Sequence, residues 1–344
     1  MSKKRVLVTG GAGFIAHHIV DYFLKNTDWE IVTLDRLDLS GNLNRLYDVI
    51  QRNPEHKQRV KFVFHDLKGE ISSLTKNFIG EINYILHLAA GSHVDRSIEY
   101  PMEFVMDNVV GTTNILEFAR KHKSLERFIY FSTDEIFGVA PLGVNYKERD
   151  RYNSTNPYSA SKAAGEELCV AYENTYGLPV FVTHTMNVIG ERQHPEKFVP
   201  LCIRKIRNGE TIHIHANSEK TEAGSRFYIH AIDVADAMLF LLTLQNNSIY
   251  SPDFGGAKCP KFNVVGKEEI DNLTLAKMIA SNVKDCELKY EMVDFHTSRP
   301  GHDLRYSLSG EYMKSLGWEP KVALHDRIKE IVEWSLANPE WIEV

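Results

Sequence analysis

The stretch Val6-Leu7-Val8-Thr9-Gly10-Gly11-Ala12-Gly13-Phe14-Ile15-Ala16 decides the fold of this chain. It reads as a buried strand, a glycine turn and the start of a helix running from Ile15 to Lys25. Glycines let the backbone turn tightly and approach a pyrophosphate. The helix that follows offers N–H donors and the positive end of its dipole. The small Ala16 allows close approach of helix and strand. Gly10, Gly13, Phe14 and Ile15 are therefore assigned to a dinucleotide. A glycine fingerprint is weak alone, and its context decides.

That context is present. Asp35 ends the next apolar run, 22 residues after Gly13. A carboxylate there can bind ribose hydroxyls and repels a 2′-phosphate, so NAD is expected over NADP. The neighbouring Arg36 works against that preference. Asp66 and Leu67, after the third strand, are placed at the adenine.

The same alternation continues. Strands are expected at Arg5–Thr9, Glu30–Asp35, Val60–His65, Tyr84–Leu88, Arg127–Ser132 and Pro179–Thr183. Helical patterns lie at Ile15–Lys25, Asn42–Arg52, Met102–Lys121 and Tyr158–Tyr176. Repeated βαβ units of this kind predict an α/β fold with a Rossmann-type, doubly wound parallel sheet. After about Asn187 the segments shorten, and Pro195, Pro200, Pro252, Pro260, Pro300 and Pro320 punctuate longer loops. The expected division is residues 1–186 for NAD and 187–344 mostly for a smaller, mixed α/β substrate domain. Residues 227–245 should return to the first domain.

Bulk properties exclude other classes. The 344 residues suit two domains. The net charge of −6 and the lack of a long basic run argue against nucleic acid. Four widely spaced cysteines without a C-x-x-C point to reduced thiols and the cytoplasm. The N-terminal apolar run is broken by glycines, so neither a signal peptide nor a membrane span is expected. The close histidine pairs His17-His18 and His213-x-His215 lack an acid cluster, and no metal site is expected.

The chemistry centres on Tyr158 and Lys162, which a four-residue spacing puts on one helix face. A tyrosine ordinarily titrates near a pKa of about 10. A nearby ammonium and a positive nicotinamide favour the phenolate, which can then take a proton from a sugar hydroxyl. Ser132 and Thr133 reach the carboxyl edge of the sheet, where ligands bind in open α/β folds. Asp134 and Glu135 follow directly. Adjacent carboxylates repel, so one can hold a proton as an acid while the other acts as a base.

With these motifs in place, the chain resembles the extended short-chain dehydrogenases/reductases of the NAD-dependent epimerase/dehydratase family. Within it, the chain looks like the dTDP-glucose 4,6-dehydratases. The markers run nearly end to end: Thr9–Ile15, His87-Leu88-Ala89-Ala90, Ser92–Ser97, Ser132–Glu135, Tyr158–Lys162, Pro195-Glu196-Lys197 and Arg299-Pro300-Gly301-His302-Asp303. The resemblance implies that Tyr158, helped by Thr133 and Lys162, oxidises carbon 4 with NAD. It further implies that Glu135 removes the carbon-5 proton and Asp134 protonates the departing 6-hydroxyl. Hydride then returns to carbon 6. Tyr158 and Lys162 also count among the cofactor contacts. Ser92, Asn187, Lys197, Arg226 and Arg299 are implied around the sugar nucleotide, the arginines on its diphosphate. A homodimer is implied through a four-helix bundle of Met102–Lys121 and Tyr158–Tyr176. Val105, Val109, Ile115, Leu116, Leu168, Val170 and Ala171 are its candidate faces, or else part of the chain's own core.

Departures leave the nucleobase and hexose open. Ala16 and Gly91 stand where the family usually has Gly and often has Glu, Phe227-Tyr228 replace Asp-Trp, and Ile212–Gly224 replaces a shorter segment. The alternatives are a 4-epimerase or decarboxylase of the same fold, which need no Asp134-Glu135 pair, or a non-catalytic NAD-binding protein.

Overall fold

The computed structural model describes residues 3–38, 40–245, 259–284, 286–294 and 304–343. Its first six strands are β1 (Arg5–Thr9), β2 (Glu30–Asp35), β3 (Val60–Phe64), β4 (Tyr84–His87), β5 (Arg127–Thr133) and β6 (Val180–Thr185). The later strands are β7 (Asn187–Ile189), β8 (Ile212–Ala216), β9 (Ser225–His230), β10 (Lys261–Val264), β11 (Glu269–Asp271) and β12 (Tyr290–Asp294). The main sheet runs β10-β6-β5-β4-β1-β2-β3, parallel throughout. Residues of β4, β5 and β6 are buried along their whole length, which accounts for their continuous apolar runs.

The helices alternate with the strands. They are α1 (Phe14–Asn26), α2 (Leu43–Arg52), α3 (Ser73–Ile79), α4 (Val94–Glu99), α5 (Pro101–Val105), α6 (Gly111–Ala119) and α7 (Pro157–Tyr176). The expected helix over Met102–Lys121 is interrupted by a π-helical turn, Met106–Val110, between α5 and α6. Asn156 caps α7 in a reciprocal capping box with Ser159, Pro157 opens the first turn, and Gly177 closes the helix in the left-handed region. Later come α8 (Phe198–Arg207), α9 (Ala231–Thr243), α10 (Asn272–Ala280), α11 (Glu311–Ser315) and α12 (Leu324–Ala337).

Alternate residues of each strand face opposite layers. Val6 and Val8 pack with Ile19, Phe23 and the α9 residues Met238 and Leu241. Leu7, between them in sequence, joins Ile85, Ile115, Phe128 and Val180 on the other face. A separate core of Ile203, Ile214, Leu275, Ile279 and Ile328 supports the smaller sheets, β11-β9-β7 and β12-β8.

Two sequence expectations change here, and for two residues an open alternative is decided. Within residues 227–245, only the helix α9 returns to the larger layer, packing on α1, while β9 pairs with β11 and β7. A seventh sheet strand, β10, also returns, alongside β6. Its apolar run is broken by Asn263, whose buried amide bonds the carbonyls of Tyr146 and Ser309. Ile115 and Leu116, two of the candidate subunit-facing residues, are buried in the chain's own core, whereas Val105 and Ala171 are exposed.

Phe23 is fully buried and meets Trp29 edge-on at 5.7 Å. Phe23→Ala is expected to lower unfolding free energy by about 3–5 kcal/mol, measured by urea denaturation.

Candidate active site

The sheet order reverses between β1 and β4, and the crevice at their carboxyl ends is where an open α/β sheet takes a ligand. Thr9 and His87 end these strands and are joined side chain to side chain at 2.7 Å. The far nitrogen of His87 meets the Thr112 hydroxyl at 3.1 Å. Burial and the charge of Lys162 hold the His87 pKa down, at about 3, so the ring is a neutral link at physiological pH.

The glycine turn forms a cradle. Gly10 has φ +68°, and a Cβ there would come within 2.9 Å of the Ala89 backbone nitrogen. Only glycine fits that approach. Gly13 caps α1 without a side chain, leaving the helix N-terminus open to an anion. Asp35 is buried beside it and accepts from the N–H groups of Ala12 (3.0 Å) and Leu37 (2.8 Å). Desolvation raises its pKa, while those two donors oppose the rise. Leu67 is buried, its carbonyl taken by Asn114 at 2.7 Å, and Asp66 lies 3.6 Å from Arg36. These groups fit a dinucleotide: a cradle closed to any side chain, an open helix end and an acid at the end of β2.

Thr133 begins a cluster of polar side chains at the end of β5. Asp134 and Glu135 follow in a single 3-10 turn, Asp134–Phe137. The Thr133 hydroxyl donates to Asp134 Oδ1 at 3.0 Å and acts on the Tyr158 phenol, favouring its ionised form. The Asn156 amide reaches Glu135 Oε2 at 3.3 Å, and the Asn187 amide reaches Asp134 Oδ2 at 3.5 Å. Desolvation pushes Asp134 up to about 6, against the opposing charge of Arg226. Desolvation, then the charge of Asp134, push Glu135 up to about 7. Near neutral pH the pair as a unit can both hold and accept a proton.

Tyr158 is buried on the first turn of α7, against Val94 and Phe104. Ser97 accepts from its backbone N–H at 3.1 Å. Lys162, one turn on, is also buried, its ammonium 4.4 Å from the centre of the Tyr130 ring. The expected lowering of the Tyr158 pKa by Lys162 is not produced by the chain's own groups. Burial raises it, as do Glu135 and Asp134, with only the Thr133 hydroxyl opposing. Lys162 itself is pushed down to about 8 by burial.

The outer residues are distributed. Arg226 stacks 4.6 Å over Tyr306 and donates to the carbonyls of Ser225 and Leu304. Its charge and that of the exposed Lys197 both act on Glu135. Ser92 is exposed in the loop before α4, while its neighbour His93 lies 4.0 Å from Glu196, beside Lys197. Arg299 lies outside the described residues. Sequence reasoning passed over Asn108 on the π-helical turn. Its side chain bonds both the N–H and the carbonyl of Gly91 (2.8 and 3.0 Å) and the Ser161 hydroxyl (2.8 Å), tying the loop after β4 to α7. No pattern marks that turn in a run that otherwise reads as one helix. Asn156 was recoverable, since Asn-Pro before an apolar-periodic run is a helix-start signal.

Comparison with known proteins follows the same lines. The chain belongs to the GDP-mannose 4,6 dehydratase family. The family model matches residues 7–331. The chain is 33% identical to a dTDP-glucose 4,6-dehydratase of Salmonella typhimurium, over 98% of this chain and 94% of that one. It is 35% identical to an Arabidopsis thaliana trifunctional protein named UDP-glucose 4,6-dehydratase/UDP-4-keto-6-deoxy-D-glucose 3,5-epimerase/UDP-4-keto-L-rhamnose-reductase, over 98% of this chain and 48% of that one. Among solved structures, the dTDP-glucose 4,6-dehydratase of Streptomyces venezuelae with NAD bound superposes with a TM-score of 0.83. It shares 31% identity and covers 98% of this chain and 99% of that one. Among the described residues of this family member, no helix is long and apolar enough to cross a membrane.

The raised carboxyls have a consequence for stability. An acid that binds its proton more tightly when folded stabilises the fold fully below its unfolded pKa of about 4. That contribution is lost as pH rises through its folded value, here about 6 for Asp134. Asp134→Asn is therefore expected to be more stable than the parent at pH 8, by about 1–3 kcal/mol, with the gain gone at pH 4. Urea unfolding at the two pH values checks this.

Proposed function

We propose that this chain is an NAD-dependent sugar-nucleotide 4,6-dehydratase, converting an NDP-hexose to the NDP-4-keto-6-deoxy-hexose. The observation that carries the reading is the buried Asp134-Glu135 pair, close enough to Tyr158 for both charges to act on it. Oxidation alone needs the tyrosine, whereas elimination of water needs an acid and a base as well. dTDP- and UDP-linked hexoses are the leading substrates, following the relatives' names.

Bound NAD supplies the hydride acceptor and donor and a positive charge that favours the tyrosine phenolate. On this reading Tyr158 takes the proton of the sugar 4-hydroxyl, with the Thr133 hydroxyl favouring the phenolate. Lys162 adds a cation on the same helix face. The resulting 4-keto group acidifies carbon 5. Glu135 removes that carbon's proton, Asp134 protonates the 6-hydroxyl, and water departs. Asn187, Arg226, Lys197, Ser92 and Arg299 are assigned to the sugar nucleotide. Gly10, Gly13, Phe14, Ile15, Asp35, Asp66 and Leu67 are assigned to NAD. Residues 1–186 with α9 and β10 form the cofactor part, and the remainder forms the substrate part.

We also assign a homodimer through α5–α6 and α7. Met102, Val105, Met106 and Tyr176 lie exposed on these segments and supply apolar surface for it. A cytoplasmic setting fits the four free cysteines.

Turnover against dTDP-, UDP-, GDP- and CDP-linked hexoses, with NMR detection of a 4-keto product carrying a new methyl group, tests the function. A product with the 6-hydroxyl intact and inverted carbon 4 replaces it with an epimerase. Tyr158→Phe is expected to lose about 10²–10⁴-fold in turnover. Asp134→Asn is expected instead to slow water loss, so that reduced-cofactor absorbance builds up during turnover.

A further inference from the structure

Arg36 stands directly after the acid that ends β2, where a free guanidinium would meet a 2′-phosphate. It is not free. Its Nε and Nη2 donate to Asp38 Oδ2 at 2.9 and 2.7 Å. Its Nη1 and Nη2 donate to Asp107 Oδ1 and Oδ2 at 2.5 and 2.7 Å. A guanidinium has five N–H donors, and these bonds occupy four of them. The remaining one, on Nη1, faces Asp66 Oδ1 at 3.6 Å.

We propose that Asp107 is a specificity-determining residue that closes this dinucleotide site to NADP⁺ by withholding Arg36 from the 2′-phosphate. The proposal rests on the dinucleotide reading above. Recognition of a phosphate dianion by arginine relies on paired N–H donors in one plane. Asp107 takes the Nη1–Nη2 edge, the one edge of the fork that Asp38 leaves open. Charge acts the same way. Asp38, Asp66 and Asp107 gather here against Arg36 and Lys68, with the charge of Asp35 acting alongside, and Lys68 already lies 3.5 Å from Asp66. A 2′-phosphate would enter a field already negative, with both edges of the Arg36 fork taken by carboxylates.

The two acids are not equivalent. Asp38 is two residues from Arg36 and its side chain is 42% exposed. Asp107 comes from the π-helical turn, and its side chain is only 10% exposed. Two features hold it in place. The adjacent Asn108 clamps the Gly91 peptide by both its N–H and its carbonyl. Gly91 also leaves the space that Asp107 needs: a Cβ at position 91 would lie 3.3 Å from Asp107 Oδ2 and 3.1 Å from the Phe104 ring. π-Turns of this kind occur often at functional sites.

The test equilibrates the protein with equal NAD⁺ and NADP⁺, removes free nucleotide, denatures the protein and quantifies what is released by chromatography. The unmodified protein is expected to release NAD⁺ in more than about tenfold excess over NADP⁺. Asp107→Asn and Asp107→Ser, checked for folding by thermal melting, are expected to raise the NADP⁺ share about tenfold or more. Adding Arg36→Gln to either variant should return the ratio to the parent value. The proposal is overturned by an unmodified protein that holds both nucleotides equally, which needs no variant to fold. It is equally overturned by an unchanged ratio in folded Asp107 variants that retain NAD⁺, or by a gain that survives loss of Arg36. A protein that holds neither nucleotide overturns the dinucleotide reading itself.

Discussion

Desolvation at the carboxyl edge of a parallel sheet is the constraint on which this molecule depends. Strands buried on both faces end in a crevice with little water, and every titratable group brought there is biased toward its neutral form. Asp134, Glu135 and Tyr158 move up and Lys162 moves down for that one reason before any partner acts. Proton transfer near neutral pH needs groups whose affinities lie near neutrality; burial brings Asp134, Glu135 and Lys162 there and carries Tyr158 away from it. The same burial weakens the fold at neutral pH, since Asp134, Glu135 and Lys162 would be more comfortably ionised in water.

The surroundings offset that cost with neutral or paired links. His87, kept neutral, joins β1, β4 and α6 through two threonines. Asn108 joins the loop after β4 to α7. Deeper along α7, Glu166 is fully buried and paired with Lys261 at 2.7 Å and His184 at 3.2 Å, which ties β10 and β6 to α7. An unpaired carboxylate at that depth would be strongly destabilising, and with its partners it holds α7 against the sheet. The seventh strand thus supports the helix that carries Tyr158 and Lys162.

The parts legible in sequence are those written in local periodicity. The central strands β4, β5 and β6 are legible as near-continuous apolar runs, because burial on both faces removes alternation. Helix α7 announces itself by Asn156-Pro157 at its start and Gly177 at its end. β10 escaped notice because a buried asparagine interrupts four residues of strand, and its amide is satisfied only by distant carbonyls. The π-helical turn escaped because it preserves the apolar period on either side.

By itself the sequence determined the glycine cradle, the acid ending β2, the tyrosine and lysine one turn apart, and the acid pair after β5. Each is a contiguous motif whose geometry follows from strand and helix rules. The tertiary structure alone decided the electrostatics. It turned Arg36 from a residue that opposes NAD into one held by Asp38 and by Asp107, 71 residues away in sequence. It also set the chain's own contribution to the Tyr158 pKa, which burial and the facing Glu135 and Asp134 raise. Charge–charge and desolvation energies depend on distances across the fold, and no local pattern in the chain encodes those distances.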